Sequence, residues 1–268
     1  MRQLFAEGKS VSEVAKLVGV EYQFAYGVAK RAGFLEAGAA VSRAQRQSDG
    51  VRHGGVDIEA NLRTYLDDRR PTDRYASFDY CFNYFQGRRE DGRIGNLAKG
   101  LELQLACLHL GFYLASWGMY RGSTILLQRS VAHLVPVIEA IAHTPIAAWA
   151  IDADGYTQGA CRLLLDTASR IRAAFPEGAT DTLVTKIMLG VFGSVPAYDT
   201  NFRKGFGTAF LGESSLMRVG RFYRENAEVI ERYRVPTLDF DSGAETDRRY
   251  PRAKVIDMIF FIEGGATA

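Results

Sequence analysis

The chain has 268 residues, 47% hydrophobic and 24% charged, with 33 Lys+Arg against 31 Asp+Glu. That composition excludes a disordered, collagenous or disulfide-scaffold chain, and the length suits one large domain or a large one beside a small one. The net charge of +2 creates no global field for nucleic acid or membrane, but residues 1–56 hold 8 Lys+Arg against 5 Asp+Glu, so the surplus sits at the start.

In chain order, Arg2–Glu7, closed by Gly8, predicts a short helix with Leu4 and Phe5 inward. Ser10 and Glu13 form an S-x-x-E capping box that satisfies two amides at the next helix start. Val14, Leu17 and Val18 then make one apolar stripe, and Ala15 is small enough to admit a second helix closely. Gly19 suits a left-handed turn and Val20 buries beneath it. A third helix runs from about Tyr22 to Gly33 with Ala25 and Val28 inward. The set Val14, Ala15, Val18, Gly19, Val20 and Val28 resembles the helix-turn-helix of bacterial and phage repressors and of resolvase-type DNA-binding domains.

That resemblance implies that the helix from Tyr22 enters the major groove of double-stranded DNA. Gln23 would bond adenine in bidentate fashion, and Tyr22 and Tyr26 would touch bases or phosphates. Lys9, Lys30 and Arg31 would neutralise phosphates. A head of residues 1–35 buries too little apolar surface to be robust alone. Specific affinity also needs a second contact, from a homodimer or from Arg43, Arg46 and Arg52.

Residues 36–56 contain Gly38, Gly50, Gly54 and Gly55 with few large apolar groups, and read as a flexible linker. Residues 57–268 form a larger, all-helical domain, so the expected class is mainly α. Helical spacing is clearest over 57–69, 74–88, 97–116, 123–142, 158–175, 181–192 and 214–233. Thr180 or Asp181 would cap the sixth of these. A short β-hairpin is expected near the C-terminus, over Thr237–Thr246, with Asp241-Ser242-Gly243 at its turn, followed by an apolar core run, Val255–Ile262.

Several phrases in this body admit a chemical reading. Ser116–Ser123 reads as a tight turn in which Arg121 makes an ion pair; its alternative is an anion contact beside the next helix start. Lys186 lies in an apolar helix, and Asp199 follows a Pro-containing turn. Burial lowers the pKa of an unpaired lysine, so this pair is the candidate catalytic set, an amine nucleophile beside a carboxylate. The arrangement is similar to helix-hairpin-helix DNA glycosylases, which implies Schiff-base chemistry as the alternative function. A defence or toxin-like effector is a further alternative. Arg232, Arg234, Arg248, Arg249, Arg252 and Lys254 alternate with Asp239, Asp241, Glu245 and Asp247, which predicts a self-paired, solvated surface.

His109, His133, His143 and Cys107 lack zinc spacing, so no metal is expected. Neither a phosphate-binding glycine loop nor a hydrolase or metalloprotease motif occurs, and no cofactor is expected. Cys81, Cys107 and Cys161 read as reduced, buried thiols. The most apolar run, Leu103–Met119, is broken by Gln104, His109 and Ser116, so no membrane span is expected and the chain reads as cytoplasmic. The functional expectation is a DNA-binding transcriptional regulator.

Overall fold

Two runs of the chain lack a polar face, and both become buried helices. Every residue from Leu183 to Phe192 is buried in the helix Asp181–Phe192, and every residue from Ala253 to Phe260 in the helix Arg252–Ala266. A helix that is apolar all round needs neighbours on every side, and the other elements supply them. The computed structural model describes residues 2–7, 9, 11–20, 25, 28, 29, 32, 55–122 and 124–266. The chain divides into two units, Met1–Gly54 and Gly55–Ala268.

In the first unit the helices are α1 (Arg2–Ala6) and α2 (Val11–Val18), and Ala25, Val28 and Ala29 are helical. Phe5, Val14, Ala15, Ala25 and Ala29 form its core, with Leu4, Val20 and Val28 packed against them. Leu17 and Val18 differ from expectation: they are 63% and 41% exposed. The stripe therefore runs through Val14 and Ala15. Ser10, Tyr22, Gln23, Tyr26, Lys30, Arg31, Gly33 and linker residues 36–54 lie outside the described residues.

The second unit is mainly α. Its helices are α3 (Ile58–Asp67), α4 (Ser77–Glu90), α5 (Gly100–Ser116), α6 (Val135–Ala142), α7 (Ile146–Trp149), α8 (Gln158–Ala173) and α9 (Asp181–Phe192). After them come α10 (Thr200–Phe206), α11 (Glu213–Glu225), α12 (Ala227–Arg232) and α13 (Arg252–Ala266). Strands β1 (Pro236–Leu238) and β2 (Glu245–Arg249) pair antiparallel, Pro236 opposite Arg249 and Leu238 opposite Glu245, which is the expected hairpin. Helix α13 packs most extensively on α10 and next on α3, while α9 lies against α4, α5 and α8. The described residues contain no helix long and apolar enough to cross a membrane.

The helix expected over 123–142 begins only at a 3₁₀ turn, Val131–Leu134, which leads into α6. Pro136 lies in the first turn of α6, where its missing amide costs nothing. The expected helix 214–233 divides at Asn226, whose side chain donates to the Phe222 carbonyl and so competes with the backbone ladder. Helix α10 was not anticipated.

Two devices join distant elements. Asp79, fully buried on α4, accepts from Nε and Nη2 of Arg69 at 3.0 and 2.8 Å and from the Leu238 amide at 3.2 Å, fastening β1 to the helical layer. Burial pushes its carboxyl above the usual range against the pull of Arg69. Asp152 caps two helices at once. It accepts from the Ala153 amide (2.7 Å) at its own 3₁₀ turn and from the Arg252 and Ala253 amides (2.7 and 2.9 Å) at the start of α13. Asp152→Ala would orphan these donors, each worth about 1–3 kcal/mol when left unpaired. The variant should lose about 2–4 kcal/mol in urea unfolding, and Asp152→Asn, which keeps one acceptor, less than half of that.

Candidate functional site

In the body, polar chemistry concentrates where α9, α10 and α13 meet the end of α5. Thr180 caps α9 through Oγ1, which accepts from the Leu183 amide (3.3 Å), and Gly193, at φ +66°, closes the helix. The chain then runs through Ser194–Tyr198 without regular structure yet buried throughout. Buried irregular backbone must find partners, and side chains supply them. The Ser194 carbonyl accepts from the Tyr156 hydroxyl, the Ala197 amide donates to Asp257 Oδ1 (2.9 Å), and the Tyr198 amide donates to Thr185 Oγ1 (2.8 Å). The Tyr198 carbonyl accepts from Thr182 Oγ1 at 2.9 Å.

This crossing delivers Asp199 to the start of α10, where Oδ1 accepts from the Phe202 amide (3.0 Å) and Oδ2 from Lys186 Nζ (2.9 Å). The two residues singled out in the sequence thus form a buried ion pair, with the Lys186 side chain 4% and that of Asp199 16% exposed. A second pair lies nearby. Lys254 Nζ, on α13, donates to the Tyr65 hydroxyl at 2.8 Å and to Asp257 Oδ2 at 3.1 Å. Burial raises the Asp257 carboxyl, an effect reinforced by Asp199 and opposed by Lys254 and Lys186. Burial also holds the Tyr65 and Tyr113 hydroxyls well above their ordinary range.

The indole of Trp117, which follows α5, joins the pairs. Lys186 Nζ lies 5.0 Å and Lys254 Nζ 5.5 Å from its ring centroid, and the Arg74 guanidinium lies 5.5 Å away. Tyr75 stacks on Trp117 (5.5 Å) and on Tyr65 (4.3 Å), while Phe261 meets all three rings edge-on. The arrangement sets two lysine side chains against two aspartate side chains around one indole, with Asp199 Oδ2 in direct contact with Lys186 Nζ at 2.9 Å.

The remaining sequence candidates fall elsewhere. Lys9 is exposed, and its amide donates to the Leu4 carbonyl at 3.1 Å. Arg121 is exposed and lies over Gly118 (φ +75°); among the described residues it has no ion-pair partner, contrary to expectation. In the described part of its turn, which ends at Gly122, the Met119 amide returns to the Leu114 carbonyl at 2.9 Å; Ser123 lies outside the described residues. In the C-terminal basic set, Arg232 pairs with Glu59, Arg234 and Arg252 with Glu231, and Arg248 with Glu90. Among the described residues no ion pair joins them to Asp239, Asp241, Glu245 or Asp247; Asp239 accepts instead from the Ser242 amide and hydroxyl, and Asp241, Glu245 and Asp247 are exposed. Lys254 is not on the surface at all.

His109 stacks on Tyr84 (4.1 Å), and the His143 ring lies 2.7 Å from the Glu139 carbonyl. Among the described residues no three His, Cys, Asp or Glu side chains converge as metal ligands. Cys81, Cys107 and Cys161 are free and buried. Compared with protein-family models, curated proteins and solved structures, the chain finds no match in any of the three.

Proposed function

We propose that this protein binds duplex DNA through its N-terminal unit and acts as a transcriptional regulator. The observation that carries the reading is the turn after α2. Gly19 lies at φ +68° and the Val20 amide returns to the Ala15 carbonyl at 3.1 Å. That is the Schellman closure which lets a following helix cross α2 at a steep angle. Ala15, Val20, Ala25 and Ala29 share one small core, as the crossing of a helix-turn-helix requires. On this reading Gln23 contacts base edges, Tyr22 and Tyr26 flank it, and Lys9, Lys30 and Arg31 neutralise phosphates.

The test is binding to sequences selected from a random duplex pool. Gln23→Ala with Lys30→Ala should weaken the selected complex about a hundredfold and lower the slope of log affinity against log salt by about one. Equal binding by the double variant would remove the head as the reader.

A second reading, an enzyme acting on nucleic acid through Lys186, has the 2.9 Å contact with Asp199 in its favour. The buried course of Ser194–Tyr198 leaves no exposed hairpin there for a phosphate backbone. Borohydride trapping on abasic DNA decides this reading: a covalent adduct lost in Lys186→Met would establish it, and no adduct would remove it.

A further inference from the structure

Helices α10 and α11 carry an excess of cations. Residues 200–225 hold Arg203, Lys204, Arg218, Arg221 and Arg224 against Glu213 and Glu225, in a chain that is nearly neutral as a whole. Other arginines of the body meet carboxylates, as Arg88 meets Glu102 and Arg248 meets Glu90. Among the described residues none of these five cations forms an ion pair.

Two of the guanidiniums are held by the backbone around α10. Arg203 Nε donates to the Asp199 carbonyl at 3.3 Å. Arg218 reaches across from α11 and donates from Nη1 to the Gly207 carbonyl (3.0 Å) and from Nη2 to the Phe206 carbonyl (3.1 Å). Its Cζ lies 5.0 Å from the centre of the Phe206 ring. Asp199 and Phe206 are seven residues apart, nearly two helical turns, so the two anchors lie on one side of α10 about 10 Å apart. A guanidinium has five N–H donors, of which Arg203 spends one on these carbonyls and Arg218 two. The remaining donors are aimed before any ligand arrives, and a neutral carbonyl leaves the positive charge uncompensated where a carboxylate would cancel it. Lys204, beside Arg203, and Arg221, one turn beyond Arg218, are exposed.

We propose that this face binds the phosphate backbone of duplex DNA irrespective of sequence. Arg203 and Arg218 each take a phosphate, for which a planar, pre-positioned guanidinium is the suited donor, and Lys204 and Arg221 add charge on either side. The separation of about 10 Å is the axial rise of about three nucleotides at 3.4 Å each. Such contacts set affinity and leave base choice to another element. They supply from the body the second contact that a small reading head needs. The choice of duplex DNA as the polyanion rests on the reading of the N-terminal unit given above; the arrangement of the cations does not.

The test is fluorescence anisotropy of a labelled random-sequence duplex with the full chain, over about 0.05–0.3 M salt. Arg203→Gln/Arg218→Gln/Arg221→Gln should lower the slope of log affinity against log salt by about 2–3 and weaken binding about a hundredfold at about 0.1 M salt. Because Arg203 and Arg218 also bond the protein, Lys204→Gln/Arg221→Gln serves as the second variant. It removes only exposed side chains, so it should keep the melting temperature and lower the slope by about 2. Arg70→Gln/Lys99→Gln/Arg121→Gln removes three exposed cations elsewhere on the body and should leave the slope unchanged. Preference for a selected duplex over a random one belongs to the head: Gln23→Ala with Lys30→Ala should erase it, whereas the α10–α11 variants should not. Several results would each overturn the proposal: a wild type without salt-dependent duplex binding, a wild-type slope in both α10–α11 variants, or an equal loss in the control. So would variants that lose binding to phosphatidylserine vesicles while duplex binding stays intact.

Discussion

Replacing Lys254 by methionine is expected to destabilise the body by about 3–5 kcal/mol, because the substitution strands Asp257 as an uncompensated buried charge. Lys254 is 1% exposed and is the direct cationic partner of Asp257, whose second oxygen holds the Ala197 amide. The double variant Lys254→Met/Asp257→Asn should recover at least half of the loss, since the asparagine side chain stays neutral and can still accept from the Ala197 amide. The single variant also carries a pH signature. Without Lys254 the folded-state carboxyl rises further above its unfolded value, so the folded chain binds a proton more tightly than the unfolded one. Stability then increases as pH falls through the raised value, and the loss measured by urea unfolding should be smaller at about pH 5 than at about pH 8. A double variant as unstable as the single one would show that Lys254 acts by packing rather than by charge.

The second large effect is steric. Helices α10 and α13 approach so closely that a Cβ on Gly264 would lie 1.9 Å from the Asn201 carbonyl oxygen, and one on Gly205 would lie 2.5 Å from that of Phe260. These are backbone atoms and cannot rotate aside. Gly264→Ala should therefore cost about 3 kcal/mol or more, the upper range for over-packing, by forcing the most extensive helix pair of the body apart. Gly265→Ala is the control. Its Cβ would meet only the Asn201 side chain, at 3.4 Å from Nδ2 and 4.0 Å from Cγ, and alanine is the better helix former by about 1 kcal/mol, so this variant should be neutral or slightly more stable. Urea unfolding of both resolves the comparison. Similar costs at the two positions would mean that lost glycine freedom, not helix approach, sets the effect.

The long body helices were legible because each buries a continuous or regularly spaced apolar set. Helix α9 carries Leu183–Phe192 without interruption apart from Thr185, Lys186 and Gly190, and Thr180 marks its start. The hairpin was legible from Asp241-Ser242-Gly243. Seven residues are too few to show a period, which hid α10, and apolar residues at helical spacing before Pro136 do not require a helix. In the site, Lys186 and Asp199 are 13 residues apart and could be suspected together. Lys254 and Tyr65 are 189 apart, and no local pattern joins them or brings Trp117 between the two lysines. Lys254 was grouped with its arginine neighbours, although Asp257 three residues later in an otherwise apolar run signalled an internal pair.

Helix α13 follows in the chain every element that surrounds it, and its contacts reach back to Asn61, whose Nδ2 donates to Glu263 at a separation of 202 residues. A ribosome therefore releases the walls of this body before the pillar they enclose. Until Arg252–Ala266 emerges, the faces of α3 and α10 that receive it stand open, and Asp152 waits about a hundred residues for the amides it caps. Loop closure over such distances is slow, so the nascent body passes through a stage in which its stickiest surfaces are bare and the segment that would cover them has yet to be made.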